Sequence, residues 1–456
     1  MAGVETTAPS NTECTAGGAG EQPSADTAEA KDDIPAAISS SITVAVRVRP
    51  LTEKELGQMP AETNSQFAFS SGAALSGGAD ASSSKGAVRK IISVLDERML
   101  VFDPPTGSSS ASSAASGGGM GARLNHVRGA RRNKDVRFAF DRVFSEDATQ
   151  EEVFAGTPKK LIGSVLNGYN ATVFAYGATG CGKTHTISGT PSDPGIIFLT
   201  MRELFERIRA NEEEMTTEMS ISYLEVYNET IRDLLVAEGT RSPALALRED
   251  QRGVMVAGLS EHHPQTPDDV MSLLLLGNKN RTMSPTCANA VSSRSHAVLQ
   301  VNVRRRPRTA SIDTNVTVAT MSVIDLAGSE RASVTKNTGE RLLEGANINR
   351  SLLALGNCIN ALCDARRSAH IPYRDSKLTR LLKFSLGGNC QTVMIVCVSP
   401  FSAHYEETHN TLKYANRAKN IKTNVARNTV SVTMHVSQYR RIISELKGEV
   451  AELKRK

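Results

Sequence analysis

Gly177-Ala178-Thr179-Gly180-Cys181-Gly182-Lys183-Thr184 is the stretch on which the fold turns. It fits the phosphate-loop template G-x-x-x-x-G-K-[ST]. Ahead of it runs Ala171-Thr172-Val173-Phe174-Ala175-Tyr176, apolar and rich in strand formers, which predicts a buried strand. Behind it, His185-Thr186-Ile187 can open a helix. Strand, glycine loop and helix in that order are the context the template requires. Glycines let the backbone wrap a phosphate with its N–H groups pointing inward, and the helix N-terminus adds partial positive charge. Lys183 is placed to reach the outer phosphates and Thr184 to offer a hydroxyl to Mg²⁺. A glycine turn matching by chance is the bland alternative, and the strand in front of it argues against that.

The 456 residues suffice for one large α/β domain with tails, and the formal net charge of +5 is only mildly basic. Such a balance does not single out a nucleic-acid partner, and none is expected. Seven cysteines, an odd number with no C-x-x-C pair and one inside the phosphate loop, fit a reducing compartment without a disulfide frame or zinc site. Met1-Ala2-Gly3-Val4-Glu5 has neither the basic start nor the apolar core of a signal peptide. The longest leucine run, Leu273-Leu274-Leu275-Leu276, is far too short to span a bilayer. The expectation is therefore an intracellular, soluble chain with no membrane insertion.

Residues 1–38 hold almost no large apolar groups and are expected to form a disordered tail. Order should begin at Ile42-Thr43-Val44-Ala45-Val46-Arg47-Val48-Arg49-Pro50, whose alternation predicts a strand with one face inward. Residues 90–94 and 99–102 read as a hairpin around Asp96-Glu97. An insertion at 104–134 follows, Ser/Gly/Ala-rich at first and then basic, with Arg128, Arg131 and Arg132. It is either a solvated loop or an arm for an acidic surface. Further strands are expected at 136–140, 218–227, 297–304, 316–324 and 392–398, and helices at 150–166, 203–209, 268–278 and 349–362. The run Arg304-Arg305-Arg306-Pro307-Arg308 reads as a charged hairpin turn.

A phosphate loop needs an acid near its metal on a second strand. The strand at 316–324 ends in Asp325, followed by Leu326-Ala327-Gly328-Ser329-Glu330. Asp325 can hold Mg²⁺ through water, and the Gly328 N–H can sense a γ-phosphate. A third segment, Asn289-Ala290-Val291-Ser292-Ser293-Arg294-Ser295-His296, offers hydroxyls and an arginine just before a strand.

At these three segments the chain resembles the kinesin motor domain, whose phosphate loop, first switch N-x-x-S-S-R-S-H and second switch D-L-A-G-S-E all occur here intact and in order. Arg47-Val48-Arg49-Pro50 and His370-Ile371-Pro372-Tyr373-Arg374-Asp375-Ser376-Lys377-Leu378-Thr379-Arg380-Leu381-Leu382 match as well. The resemblance implies an α/β fold of the kinesin P-loop NTPase type, with a central mixed eight-stranded sheet and three helices on each side. It implies that Arg47, Arg49, Pro50 and His185 border the adenine and that residues 177–184 hold the phosphates of ATP or ADP. Thr184 and Ser293 would ligate Mg²⁺, and Arg294 and Glu330 would pair to position the attacking water. Tyr169-Asn170-Ala171-Thr172, Pro194-Gly195-Ile196-Ile197, the hairpin and the insertion look most like the kinesin-8 subfamily.

The same resemblance places Arg331, Lys336, Arg341, Arg350, Arg374, Lys377 and Arg380 toward the acidic microtubule surface, with Arg128, Arg131 and Arg132 as a second contact. Val334 and Thr335 stand where conventional kinesins are lysine-dense. The implied organisation is a motor domain at 39–421, a neck linker at 422–433 with Asn428 as a latch, and the start of a neck coiled coil at 434–456. Val436, Tyr439, Ile443, Leu446, Val450 and Leu453 form a heptad seam that suits a parallel homodimer. The function implied is a microtubule-stimulated ATP hydrolase moving toward plus ends of cytoplasmic or spindle microtubules, with end-shortening activity in several subfamily members. The alternatives are a hydrolysis-deficient cap or tether and an ATPase that does not use tubulin.

Overall fold

The computed structural model describes residues 38–59, 88–102, 136–237, 240, 242–249, 253–282, 293–308, 313–330, 340–364, 370–433 and 436–455. The expectations for residues 1–37 of the N-terminal tail, the 104–134 insertion and residues 331–339 lie outside these; at Ile38 the chain is already in a strand, Ile38–Ser41, four residues before the expected start of order.

The central strands are β1 (Thr43–Val48), β2 (Arg142–Phe144), β3 (Ala171–Tyr176), β4 (Met215–Tyr227), β5 (Thr230–Asp233), β6 (His296–Pro307), β7 (Asp313–Asp325) and β8 (Gln391–Val398). Their spatial order is β2-β1-β8-β3-β7-β6-β4-β5. From β2 to β7 neighbours run parallel; β7, β6, β4 and β5 then pair antiparallel. A ninth strand, β9 (Thr429–Thr433), pairs with residues 313–317 of β7.

One face carries α1 (Gln150–Gly156), α2 (Lys159–Leu166), the short α3 (Lys183–Ile187), α4 (Ile196–Ala210) and α5 (Pro267–Thr282); the other carries α6 (Glu340–Cys363), α7 (Lys377–Leu381) and α8 (Tyr405–Ala418). With α1 and α2 taken as one interrupted helix, and the short α3 and α4 that follow the phosphate loop as another, three helical segments lie on each face, as expected. The interruption falls at Thr157-Pro158, where proline lacks the N–H needed to continue the ladder. Helices on both sides explain why β3 is buried at every position. They also correct the expectation for β1: Val44, Ala45 and Val46 are all buried in succession rather than alternating. Each large side chain so enclosed, such as Phe174 or Ile162, contributes about 1.5–3 kcal/mol.

A second correction concerns Arg304-Arg305-Arg306, which lies inside β6 rather than in a turn. Arg305 is buried and donates to the carbonyl of Leu166 at 2.8 Å, at the C-terminal end of α2, where a cation is favoured. The hairpin at Asp96 forms as expected, with Asp96 accepting from the Arg98 and Met99 amides, and Val136–Ala139 adds a third strand.

Past α8 the chain makes two further pairings. Lys422–Val425 runs antiparallel to Ile38–Ser41. Asn428 then donates its N–H to the Gly168 carbonyl at 2.8 Å, accepts from the Val318 N–H at 3.2 Å, and receives the Asn389 side-chain amide at 2.9 Å. β9 follows, and then α9 (Val436–Leu453), on which Ile443, Leu446, Val450 and Leu453 are exposed.

Candidate nucleotide site

β3 ends at Tyr176 and the loop begins with a glycine at φ +153°. A Cβ on Gly177 would collide with the Cys397 carbonyl of β8, so loop and sheet meet backbone to backbone. α3 starts from Gly182 in the left-handed region (φ +91°), which only glycine adopts cheaply. Lys183 is buried and its Nζ donates to the Ala178 carbonyl at 2.9 Å, inside the loop. Burial pushes the Cys181 thiol up to about 11, so this cysteine packs rather than reacts.

Asp325 arrives at the end of β7, beside β3. Its Oδ2 accepts from Thr184 Oγ1 at 2.8 Å and from Arg281 Nη1 at 2.9 Å. Its Oδ1 is buried with no hydrogen-bond partner among the described residues. A spare buried carboxylate oxygen beside a hydroxyl is a hard-oxygen arrangement, and it fits Mg²⁺ held partly through water. Arg281 was not singled out in the sequence. It lies near the C-terminal end of α5, almost wholly buried, and also donates to Ser295 Oγ (3.1 Å) and to the Ser295 carbonyl (2.9 Å).

The two switch segments are laced to the loop. Gly328 N–H donates to the Ser293 carbonyl at 2.9 Å, joining second switch to first. Ser329 N–H donates to the Gly177 carbonyl at 3.1 Å. Both Glu330 carboxylate oxygens accept from Thr179, from its N–H at 2.8 Å and its hydroxyl at 2.5 Å. Arg294 lines a small cavity with Asn228, Glu229, His296, Asn347 and Ser351. Residues 283–292, including the start of the first-switch motif, lie outside the described residues.

His296 links this lacing to α6. The Ala327 N–H donates to its Nδ1 at 3.0 Å, so the ring's proton sits on Nε2 and is given to Ser351 Oγ at 2.8 Å. Burial drives its pKa down to about 3, with the charges of Arg281 and Lys183 adding to the effect, and the ring stays neutral.

Among the residues expected to border the purine, Arg47 turns inward and donates to Gln150 Oε1 (2.7 Å) and Thr186 Oγ1 (2.9 Å). Gln150, also missed in the sequence, donates to the His185 carbonyl at 2.7 Å. Arg49 clamps Glu55 through two bonds of 2.7 and 2.5 Å, and hydrogen bonding from Arg49 lowers the Glu55 pKa to about 2. Pro50 is exposed at the rim, and His185 Nε2 lies 3.4 Å from Asp193.

Of the basic residues expected on the track side, Arg350 and Arg374 are exposed and Lys377 and Arg380 half-buried, on α6, α7 and the turn before α7, which pack together. Helix α7 is anchored by Glu229, which accepts from Ser376 Oγ at 2.5 Å and the Lys377 N–H at 2.7 Å. Arg341 lies on α6. Arg331, Lys336, Arg128, Arg131 and Arg132 fall outside the described residues.

A phosphate loop on a parallel strand, an acid on the neighbouring strand and two segments hydrogen-bonded to the loop define a P-loop NTPase. Residues 47–421 match the kinesin motor domain family. The chain belongs to that family. It is 55% identical over 423 residues to Kinesin-like protein 5 of Schizosaccharomyces pombe, covering 91% of this chain and 47% of that protein. It is 49% identical over 471 residues to Kinesin-like protein KIP3 of Saccharomyces cerevisiae (92% and 58% covered), and 54% over 369 residues to KIF18A of Mus musculus (80% and 40%). These relatives are kinesin-8 members, the subfamily the sequence resembled. The chain spans about half the length of the curated relatives it matches. Among solved structures it is similar to a KIF14 dimer with AMP-PNP in complex with a microtubule, at TM-score 0.68 and 32% identity over 86% of this chain and 97% of that one.

Proposed function

We propose that this chain is a microtubule-dependent ATPase of the kinesin-8 kind, which turns ATP hydrolysis into plus-end-directed movement and shortens microtubules at their ends. The observation that carries the reading is the lacing of both switches to the phosphate loop through Gly328–Ser293 and Glu330–Thr179. A segment that must trade those bonds for a γ-phosphate is bistable. KIF14, a similar motor, has been solved on a microtubule with AMP-PNP, which supports both partner and nucleotide class.

In this reading, the backbone of 177–182 and Lys183 bind the phosphates, while Arg47, Arg49, Pro50 and His185 border the purine. Thr184, Ser293 and Asp325 hold Mg²⁺, which when bound neutralises phosphate charge. Glu330, freed from Thr179, pairs with Arg294 and orients the attacking water. Closure would be felt by α6 through Ala327, His296 and Ser351, and would bias the seating of β9. Residues 39–421 form the motor domain, 422–433 the neck linker with Asn428 as its latch, and 434–456 the start of a coiled coil through which two copies pair. Arg331, Lys336, Arg341, Arg350, Arg374, Lys377 and Arg380 face acidic tubulin. The site of action is the cytoplasmic microtubule array, including the spindle.

The test is ATP turnover with and without microtubules. Stimulation by polymer is expected; its absence would refute the motor reading. Glu330→Ala should bind ATP yet lose hydrolysis and stay attached to microtubules in ATP. Near-normal turnover by that variant would mean that Glu330 does not orient the attacking water.

A further inference from the structure

Behind the metal end of the site lies an acid that the nucleotide chemistry does not use. Glu225 stands near the C-terminal end of β4, between buried Leu224 and Val226, and is itself 2% exposed. Burying an acid so completely is costly unless it is hydrogen-bonded. Burial raises its pKa, and a hydrogen bond with the side chain of Ser295, just ahead of the paired strand β6, opposes that rise; its Oε1 has no partner among the described residues. The Ser295 hydroxyl accepts from Arg281 Nε at 3.1 Å, and the Ser295 carbonyl accepts from Arg281 Nη2 at 2.9 Å. The guanidinium edge that carries Nε and Nη2 is thereby held on Ser295. The remaining nitrogen, Nη1, reaches Asp325 through Oδ2 alone, at 2.9 Å.

We propose that Glu225 is a positioning residue for the divalent cation: acting through Ser295 and Arg281, it keeps Asp325 Oδ1 available to the metal's water shell. The inference rests on the reading of this site as a nucleotide pocket. Its chemistry follows from the single proton of a hydroxyl. Glu225 takes that proton, so Ser295 Oγ turns its lone pairs toward Arg281 Nε–H. Without the acceptor the hydroxyl proton is no longer held, the lone pairs are no longer fixed on that N–H, and the bond to Arg281 is weakened. An arginine released on that edge can engage the carboxylate through two parallel bonds, which is its preferred geometry. Both oxygens of Asp325 would then be occupied, and the metal's water shell would lose that acceptor.

The experiment follows release of a fluorescent ADP from the purified chain while free Mg²⁺ is buffered from chelated to millimolar levels. Glu225→Leu should raise the Mg²⁺ concentration for half-maximal retention by roughly 10–100-fold, the usual loss when an outer-shell partner of a metal site is removed. Its release rate with all metal chelated should match the parent's. Glu225→Gln keeps an acceptor for Ser295 and should hold the parent's midpoint. Ser295→Ala removes the hydroxyl itself and should shift the midpoint in the same direction, which keeps the test open if Glu225→Leu does not fold. An unchanged midpoint in Glu225→Leu or Ser295→Ala overturns the proposal. So does faster release by an equal factor with and without metal, which marks general packing damage. A parent chain whose ADP retention ignores Mg²⁺ would instead refute the nucleotide-site reading itself.

Discussion

Replacing His296 with glutamine should flatten the acid side of the stability profile. The imidazole is fully enclosed and neutral, with a folded pKa near 3 against an ordinary value of 6.5. A histidine whose folded pKa is depressed is protonated first in the unfolded chain. The stability it supports is complete above pH 6.5 and is lost as pH falls from there toward 3. Between pH 7.5 and 5.5 the unfolded ring gains its proton and the folded ring does not, so this one group should cost about 1.4 kcal/mol. Glutamine cannot titrate. His296→Gln should be less stable than the parent at pH 7.5 by about 1–3 kcal/mol, because the bonds to Ala327 and Ser351 are disturbed. It should then lose about 1.4 kcal/mol less than the parent on going to pH 5.5. Urea unfolding of both proteins at the two pH values, in the same ADP and Mg²⁺, gives that double difference, and other titrating groups cancel in it. Equal losses in parent and variant would mean that the ring takes up a proton in the folded state, and the assignment of Nδ1 as acceptor from Ala327 would fall with it.

Gly168 has φ +91°, and a Cβ there would lie 3.2 Å from both the Asn428 carbonyl and Thr317 Cβ. Gly168→Ala should therefore loosen the seating of β9 by about 1–2 kcal/mol, seen as greater mobility of a spin label on that strand. At Gly328 a Cβ would collide with the Thr179 hydroxyl and the Glu330 carboxylate. Gly328→Ala should lower hydrolysis on the order of 10²-fold through misplacement of Glu330, with ADP affinity little changed in a binding titration; undiminished turnover would count against the clasp. Exchanging 104–134 for a short Gly-Ser link should lower microtubule affinity at moderate salt while leaving turnover without microtubules unaltered; equal affinity would make the insertion a spacer.

What the sequence disclosed and what it hid divide along one physical line. The phosphate loop, Asp325 and the second-switch motif are local patterns, written in consecutive residues and legible without a fold. The strands were found but drawn short. β4 begins at Met215 rather than 218 and β7 at Asp313 rather than 316, because Thr216, Thr217, Asp313, Thr314 and Asn315 are polar and break the apolar pattern that marked the strands. Arg281 was illegible because nothing beside Asn278-Lys279-Asn280 marks it; it is buried only because folding brings it to Asp325. Arg305 misled for the same reason, its burial depending on a carbonyl at the end of α2. Glu225 did leave a signal: a charge inside Tyr223-Leu224-Glu225-Val226-Tyr227, where a strand covered on both faces leaves no way out to water.

β3 is too short to cover the whole length of β7. It pairs with residues 321–325, and the Asn428 carbonyl and β9 finish the same edge at Val318 and 313–317. The sheet thus has a margin closed by a removable strip. Whenever that strip lifts, a row of backbone donors and acceptors stands bare to solvent, and bare margins of this kind recruit other strands. The amide proton of Val318 becomes a clock for the motion: shielded while Asn428 is seated, it can trade with deuterium only during the intervals when the C-terminal segment is away.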